Sequence, residues 1–401
     1  MDFPKANMRK NDGSLRSPPY VNGYKQQRSA CLKSASTASI IKAQRYPQSR
    51  GRNLDSIDIS SRVVERTIAR LIELLVPNKE ECEKARARGD CVFTTKMTDT
   101  GSIVEVFFKI DLNGCQYKLA EVGMDTKNNH KLDMPPGAIY IALDLNYKRM
   151  FVYFSKGLEM VYGPSIGKWV LDSTTYNIEE YAEIHPPELP QDEHHQEYEK
   201  WLLANPHLSW APWSRAGVYH WGFRPLMELE YTHKDACVAR DTYNLPSHIQ
   251  PVLADLLKSF GNITRAQRIL LGVVDRDYRY YCQSIISACP EKRKRFWATD
   301  DNQECFSLRT CTVNIPFEPK FDGGDIKVGW AVMVPMGDFR GGDLCIKEMN
   351  RRFVYKPGGV CLIRHGRLDF FTANSKGSRY CMVSTVQETL KGEYFDRLWE
   401  F

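Results

Sequence analysis

The sequence predicts an α+β protein that ends in a C-terminal jelly roll, a small antiparallel sandwich or barrel. Three observations carry this. Six short apolar runs, at 328–336, 344–349, 353–355, 360–364, 368–372 and 380–385, follow one another at intervals of roughly ten residues. Between them stand turn formers: Gly337, Gly341-Gly342, Asn350, Pro357-Gly358-Gly359, Gly366 and the polar stretch 374–377. Upstream, at 249–288, the apolar residues recur instead with the period of a helix. Helices first and strands after argue for separate α and β layers, not for a βαβ alternation.

The elements follow in chain order. Residues 1–57 read as a disordered basic tail, Ser- and Pro-rich at 17–19 and 29–39 and without sustained hydrophobic periodicity. An N-terminal α+β region covers 58–183. Its first helix places Val64, Ile68, Leu71 and Leu75 on one face and stops before Pro77. Strand-like runs come next, at 103–110, 117–122, 138–145 and 149–154, the last two forming a hairpin about Asn146 and Tyr147. Residues 184–248 are rich in Pro, Trp and His, among them Trp201, Trp210, Trp213 and Trp221, and read as an irregular connector packed between two halves. A helical scaffold spans 249–297. Two stretches meet there at Gly261, one carrying Leu253, Leu256, Leu257 and Phe260 and the other Ile269, Leu270, Val273 and Val274. The β-rich unit is 298–401.

Composition narrows the function classes. The chain has 401 residues, 42% hydrophobic and 26% charged, which is globular and neither fibrous nor disordered as a whole. No apolar run reaches the roughly 18 residues of a membrane span, and the first ten residues are polar, so no membrane or secretory role is expected. The 12 cysteines show no CxxC pair and read as reduced thiols of an intracellular protein. The net charge of +6 is carried by the tail: residues 1–52 hold 11 Lys or Arg against Asp2 and Asp12, leaving the rest of the chain slightly acidic. A basic arm of this kind offers salt-sensitive attraction to DNA or RNA; a solvated extension is the other reading. Lys292-Arg293-Lys294-Arg295, followed by Phe296-Trp297, is the strongest basic patch beyond the tail. It suits phosphate contact, base stacking or nuclear targeting, or else a solvated connection whose aromatics enter the core. Oligomeric state leaves no mark, since the chain has neither an internal repeat nor a heptad pattern.

An ordered set of short motifs carries a resemblance. Asp322-Gly323-Gly324-Asp325, Gly329-Trp330, Gly337-Asp338-Phe339-Arg340-Gly341-Gly342-Asp343-Leu344, Tyr355-Lys356-Pro357-Gly358, Leu368-Asp369-Phe370-Phe371 and Gly377-Ser378-Arg379-Tyr380 occur in that order over about residues 300–390. The set resembles the catalytic core of the TET/JBP family of 2-oxoglutarate and Fe(II) dependent oxygenases, in the fungal, transposon-associated type. That resemblance implies a double-stranded β-helix, an iron held by a His-x-Asp and a second His about 50 residues later, and an Arg that grips the far carboxylate of 2-oxoglutarate. It also implies oxidation of a methyl group on a nucleic-acid base. Asp322 falls at the carboxylate position and Arg379 at the cosubstrate position. The two histidine positions are occupied by Lys320 and Phe370. A protonated lysine has no lone pair and a phenyl ring offers only carbon, so neither ligates iron.

The sequence-level expectation is therefore a TET/JBP-like protein whose iron site is degenerate, with no cofactor. Lys320 and Asp322 are two apart and share one face of a strand, so the ammonium stands in for the metal's charge and pairs with the carboxylate. Two alternatives stay open: an active oxygenase of nucleic-acid bases using Fe(II) and 2-oxoglutarate at an unorthodox site, and an unrelated jelly-roll interaction module. The alternative metal set is His233 and Asp235, spaced as His-x-Asp, with His365. Glu318, Asp322, Asp325 and Asp369 could gather a hard cation, and His194-His195 reads as a solvated polar segment. Arg379 could also serve as a structural partner of Asp343 or Asp369.

Overall fold

The structure is a computed structural model that describes residues 61–75, 80, 93–98, 101–107, 130–132, 137–144, 146, 148–187, 216–225, 236–239, 241–242, 245–288, 304–315, 329–346, 349, 351–373 and 375–387. It is an α+β protein of helices and predominantly antiparallel strands. The helices are α1 (Ser61–Leu74), α2 (Gly157–Tyr162), α3 (Pro164–Ile184), α4 (Gln250–Val274) and α5 (Arg276–Ala288). The first half contributes strands β1 (Phe93–Thr98), β2 (Gly101–Phe107), β3 (His130–Leu132), β4 (Ile139–Leu143), β5 (Arg149–Phe154), β6 (Gly217–Pro225) and β7 (Ala236–Val238). The second contributes β8 (Leu308–Val313), β9 (Ala331–Gly341), β10 (Leu344–Ile346), β11 (Arg351–Phe353), β12 (Val360–Ile363), β13 (Phe370–Thr372) and β14 (Ser375–Thr385).

A ten-stranded sheet runs in the order β1-β2-β4-β5-β12-β9-β14-β8-β6-β7, and a four-stranded sheet in the order β13-β10-β11-β3. The six C-terminal apolar runs correspond to β9 through β14. The large sheet joins strands distant in the chain, because β12 pairs antiparallel with β5, Leu362 opposite Val152.

Side-chain alternation explains why so many of these strands read as continuous apolar runs. Along β12, Val360 and Leu362 enter the core against the helices, while Cys361 and Ile363 enter a second core shared with the small sheet. Along β9, Val332 and Val334 take the first side and Ala331 and Met333 the second; Met382 and Cys381 divide in the same way on β14. A strand buried on both faces has no polar face to show. The second core brings Leu344, Ile346, Phe353 and Phe370 of the small sheet against Tyr140, Phe151 and Tyr153 of the large one.

Helix α4 holds the helix-side face in register. Gln267, fully buried, donates to the Val332 carbonyl at 2.8 Å and accepts the Ser384 hydroxyl at 2.9 Å, so one amide clamps both β9 and β14. The helix runs unbroken through Gly261, where two separate stretches were expected. A helical glycine costs only about 1 kcal/mol, and the buried side chains on either side outweigh it. The break falls instead at Asp275, whose carboxylate accepts the Tyr278 N–H at 3.0 Å and starts α5. The expectation of an irregular connector at 184–248 is likewise corrected at β6, which pairs with β8 and buries Trp221 completely, its ring 5.1 Å from that of Phe260. The 21-residue helix α3 had no counterpart in the sequence reading.

The β4–β5 hairpin is present. Its turn is organised by buried Asp144, whose Oδ1 accepts the N–H groups of Asn146 at 2.8 Å and Lys148 at 2.7 Å. Helix α1 packs Leu71 and Leu75 into the helix-side core, as its spacing predicts. Cys282, Cys305, Cys311, Cys345, Cys361 and Cys381 are buried and unpaired with one another, in keeping with the expected reduced thiols. Among the described residues no helix is long and apolar enough to cross a membrane.

Candidate anion site

Arg379 organises the candidate site. It has the same alternation as Cys381 and Val383 on β14, so its side chain shares their side of the large sheet, toward the small one. Its backbone is held at both polar atoms by Asn314. The Arg379 N–H donates to Asn314 Oδ1 at 2.7 Å, and the Arg379 carbonyl accepts the Asn314 N–H at 2.8 Å. Asn314 does this at φ 55°, in the left-handed region that asparagine tolerates better than most residues. Opposite Arg379 on β9 stands Gly337 at φ 100°, where a Cβ would lie 2.2 Å from the Ser378 carbonyl oxygen. Only glycine allows that approach.

The guanidinium is 1% exposed, yet Nε and Nη2 have no hydrogen-bond partner. These two N–H groups form one edge of the planar fork, the edge that meets a carboxylate with two parallel bonds. The space along this edge is kept by Gly342, whose added Cβ would come within 2.8 Å of Nε. The Phe339 ring lies 5.5 Å from Cζ, half-buried near the end of β9. Tyr355 and Cys381 complete the surroundings. Burial pushes the phenol and the thiol up from their ordinary pKa values, while the nearby guanidinium opposes both shifts. The Tyr355 hydroxyl is also buried without an oxygen or nitrogen partner, and the Cys381 thiol is the one weak acceptor that both it and the guanidinium approach.

Neither structural partner envisaged for Arg379 is used. Asp343 is buried and engaged by Arg352, Nε to Oδ2 at 2.7 Å. Asp369 makes no ion pair with Arg379. Phe370 opens β13 opposite Ile346 and is 6% exposed within the inter-sheet core, so the position contributes hydrocarbon and no lone pair. His365 lies in the turn after β12, its N–H donating to the Ile363 carbonyl at 3.0 Å. Among the described residues no three His, Cys, Asp or Glu side chains gather as a metal ion would require.

Lys320 and Asp322, His233 and Asp235, and Lys292, Arg293, Lys294 and Arg295 lie outside the described residues. Sequence reasoning found Arg379 and placed Tyr355, Phe339 and Gly342 in fold-marking motifs, but gave them no part in a site. Asn314 had no signal at all; an asparagine after a strand is ordinary.

Comparison with known proteins adds little. No family model matches the chain, and no curated protein matches it. Among solved structures the chain is similar to NgTET1 in complex with 5mC DNA, at 14% identity and a TM-score of 0.36, covering 66% of this chain and 84% of that one. A likeness at that level carries no functional argument.

Proposed function

We propose that this protein is a TET/JBP-like double-stranded β-helix that has lost its iron centre and binds a carboxylate at Arg379 without oxygenase chemistry. The observation that carries the reading is the buried, open fork of Arg379. A guanidinium withdrawn from water with two N–H groups unmet costs several kcal/mol, which a bound anion would recover. The strand path supports the fold assignment. From the large sheet at β9 the chain crosses to the small sheet for β10 and β11, returns for β12, crosses for β13 and returns for β14. That alternation supports reading the β-rich unit as a jelly roll.

In this reading Phe370 replaces one imidazole by a ring buried in the core. Lys320 replaces the other and neutralises Asp322. Nucleic acid remains the proposed macromolecular partner, through the basic tail and Lys292 to Arg295, and that binding weakens steeply with salt.

The test is anaerobic titration of the purified full chain with Fe(II) and with 2-oxoglutarate, separately and together. The proposal expects a carboxylate to bind without iron, and no stoichiometric iron. Iron bound at one equivalent and tightened by 2-oxoglutarate would overturn it, and would restore an oxygenase whose ligands should be sought first at His233, Asp235 and His365.

A further inference from the structure

The outer face of α5 carries a cluster that packing does not require. Tyr280 is 45% exposed there, and two guanidinium groups lie against its ring. Arg279 Cζ is 4.3 Å from the ring centroid and Arg276 Cζ is 5.5 Å from it. Both bear on the hydroxyl: the Arg276 guanidinium beside it, joined by the charge of Arg279, holds the phenol below its ordinary pKa. Neither arginine pairs with a carboxylate among the described residues. Two uncompensated positive charges therefore meet at one exposed phenolic oxygen.

The cluster is held in place from beneath. Gly272 of α4 lies under Arg279, where an added Cβ would come within 2.9 Å of Cδ and 3.2 Å of Nε. Arg279 Nε is itself buried without a hydrogen-bond partner, so the stem is pressed onto α4 while the head of the side chain reaches the ring. Helical side chains lean toward the N-terminus of their helix, which carries the phenol back over the first turn of α5, where Arg276 stands. The positive end of the helix dipole adds to the two cations at that end. Asp277 is the acid of the same turn, and it forms no ion pair with either arginine.

A phosphoryl group on the phenolic oxygen matches this charge. It carries about −1.5 to −2 at pH 7 with three acceptor oxygens, and guanidinium forks grip phosphate oxygens in pairs. Exposed cations hold a free anion weakly, whereas an ester keeps its phosphate beside them at high effective concentration.

We propose that Tyr280 is a phosphorylation site and that Arg276 and Arg279 clamp the phosphate it receives. The donor is a nucleoside triphosphate and the catalyst a tyrosine-directed protein kinase. The phenolic oxygen bonds to the γ-phosphorus, the bond from that phosphorus to the β,γ-bridging oxygen breaks, and the nucleoside diphosphate leaves. The phenolic proton passes to the catalytic carboxylate of the kinase. The site is independent of Arg379, because α5 packs into the helix-side core, across the large sheet from that guanidinium.

The experiment treats the full chain with MgATP and a broad-specificity tyrosine kinase, with an unstructured tyrosine peptide in the same reaction as an internal control. Modified positions are read by tandem mass spectrometry. The phosphate resonance that Tyr280→Phe removes is then titrated by phosphorus NMR in the parent, Arg276→Met and Arg279→Met. Tyr280 should be phosphorylated, and its phosphate should take up its second proton at least about half a unit below the ordinary value near 6, because the guanidinium charges favour the dianion. Each arginine variant should move that midpoint back toward 6. An unmodified Tyr280 in a reaction that phosphorylates the control peptide would overturn the proposal. A phosphate on Tyr280 that titrates identically in the parent and both arginine variants would overturn the clamp.

Discussion

Arg309 and Arg379 are both buried arginines on neighbouring strands of one sheet, 0% and 1% exposed, and they are treated in opposite ways. Arg309 faces the helices. Its Nη2 is bonded to Glu304 and its Nε donates to Thr264 Oγ1 at 3.2 Å. Glu304 in turn accepts the N–H groups of Cys305 at 3.0 Å and Phe306 at 3.1 Å. The charge pair is closed on itself. Arg379 faces the small sheet, with its backbone fixed by Asn314 and its fork open. A completed network positions structure, and an incomplete one held rigidly in place is the feature on which the proposed anion site rests.

The contrast is sharpened first by breaking the closed pair. Glu304→Ala leaves Arg309 buried without its carboxylate, and stability should fall by about 3–5 kcal/mol, read by denaturant unfolding. A loss under 1 kcal/mol would mean that water reaches Arg309. Next comes the polar junction behind the sheet. Asp275 accepts from Trp330 Nε1 at 2.9 Å, pairs with Arg364 at 3.1 Å and caps α5. Asp275→Ala should cost about 2 kcal/mol, combining a lost cap with a half-buried ion pair. An unchanged unfolding midpoint would show that the junction is dispensable.

A smaller effect is expected from alkali. Burial raises the Cys345 thiol from 9.0 to about 11, and it also raises Cys311, Cys361 and Cys381. The folded state keeps these protons where the unfolded chain gives them up. The contribution of Cys345 is complete below pH 9 and is lost as pH rises through about 11, while the other three thiols hold their protons to higher pH, so the melting temperature should decline steadily over that interval. A flat profile between pH 8.5 and about 10.5 would show that the thiols are reached by water. The smallest change in stability belongs to the open site. Gly342→Ala should cost about 1 kcal/mol, through strain at φ 68°, while placing a methyl group against the fork and eliminating anion binding. A variant that binds as before would show that the ligand approaches from another side.

The sequence showed the closed and the open parts of this interior unequally. The strands β9 to β14 were legible because glycine, proline and asparagine separate short apolar runs, and those breaks reflect local turn chemistry. The pairing of β12 with β5 was not, since nothing local records which strand lies beside which. Helix α3 escaped notice because Ser173, Thr174, Thr175 and Asn177 interrupt its apolar face; three of these are buried, Ser173 and Thr175 bonding back to their own helix and Thr174 reaching the Ser259 carbonyl at 3.4 Å. Strand β8 was missed for a related reason: Arg309 near its start looks like a surface residue until Glu304 is placed beside it. Arg379 was legible as a candidate from its motif, whereas the openness of its fork depends on what Asp343, Asn314 and Gly342 do, and only the fold decides that.

The two buried arginines are proposed to have opposite roles, and thermal melting of the free protein separates them when Arg309→Met is compared with Arg379→Met. The first should melt far below the parent, because Glu304 is left as a buried, unpaired carboxylate. The second should melt at or above the parent, because an unmet charge is exchanged for hydrocarbon of similar length. If Arg379→Met were destabilised as severely as Arg309→Met, Arg379 would be a structural residue, and the anion site would not exist.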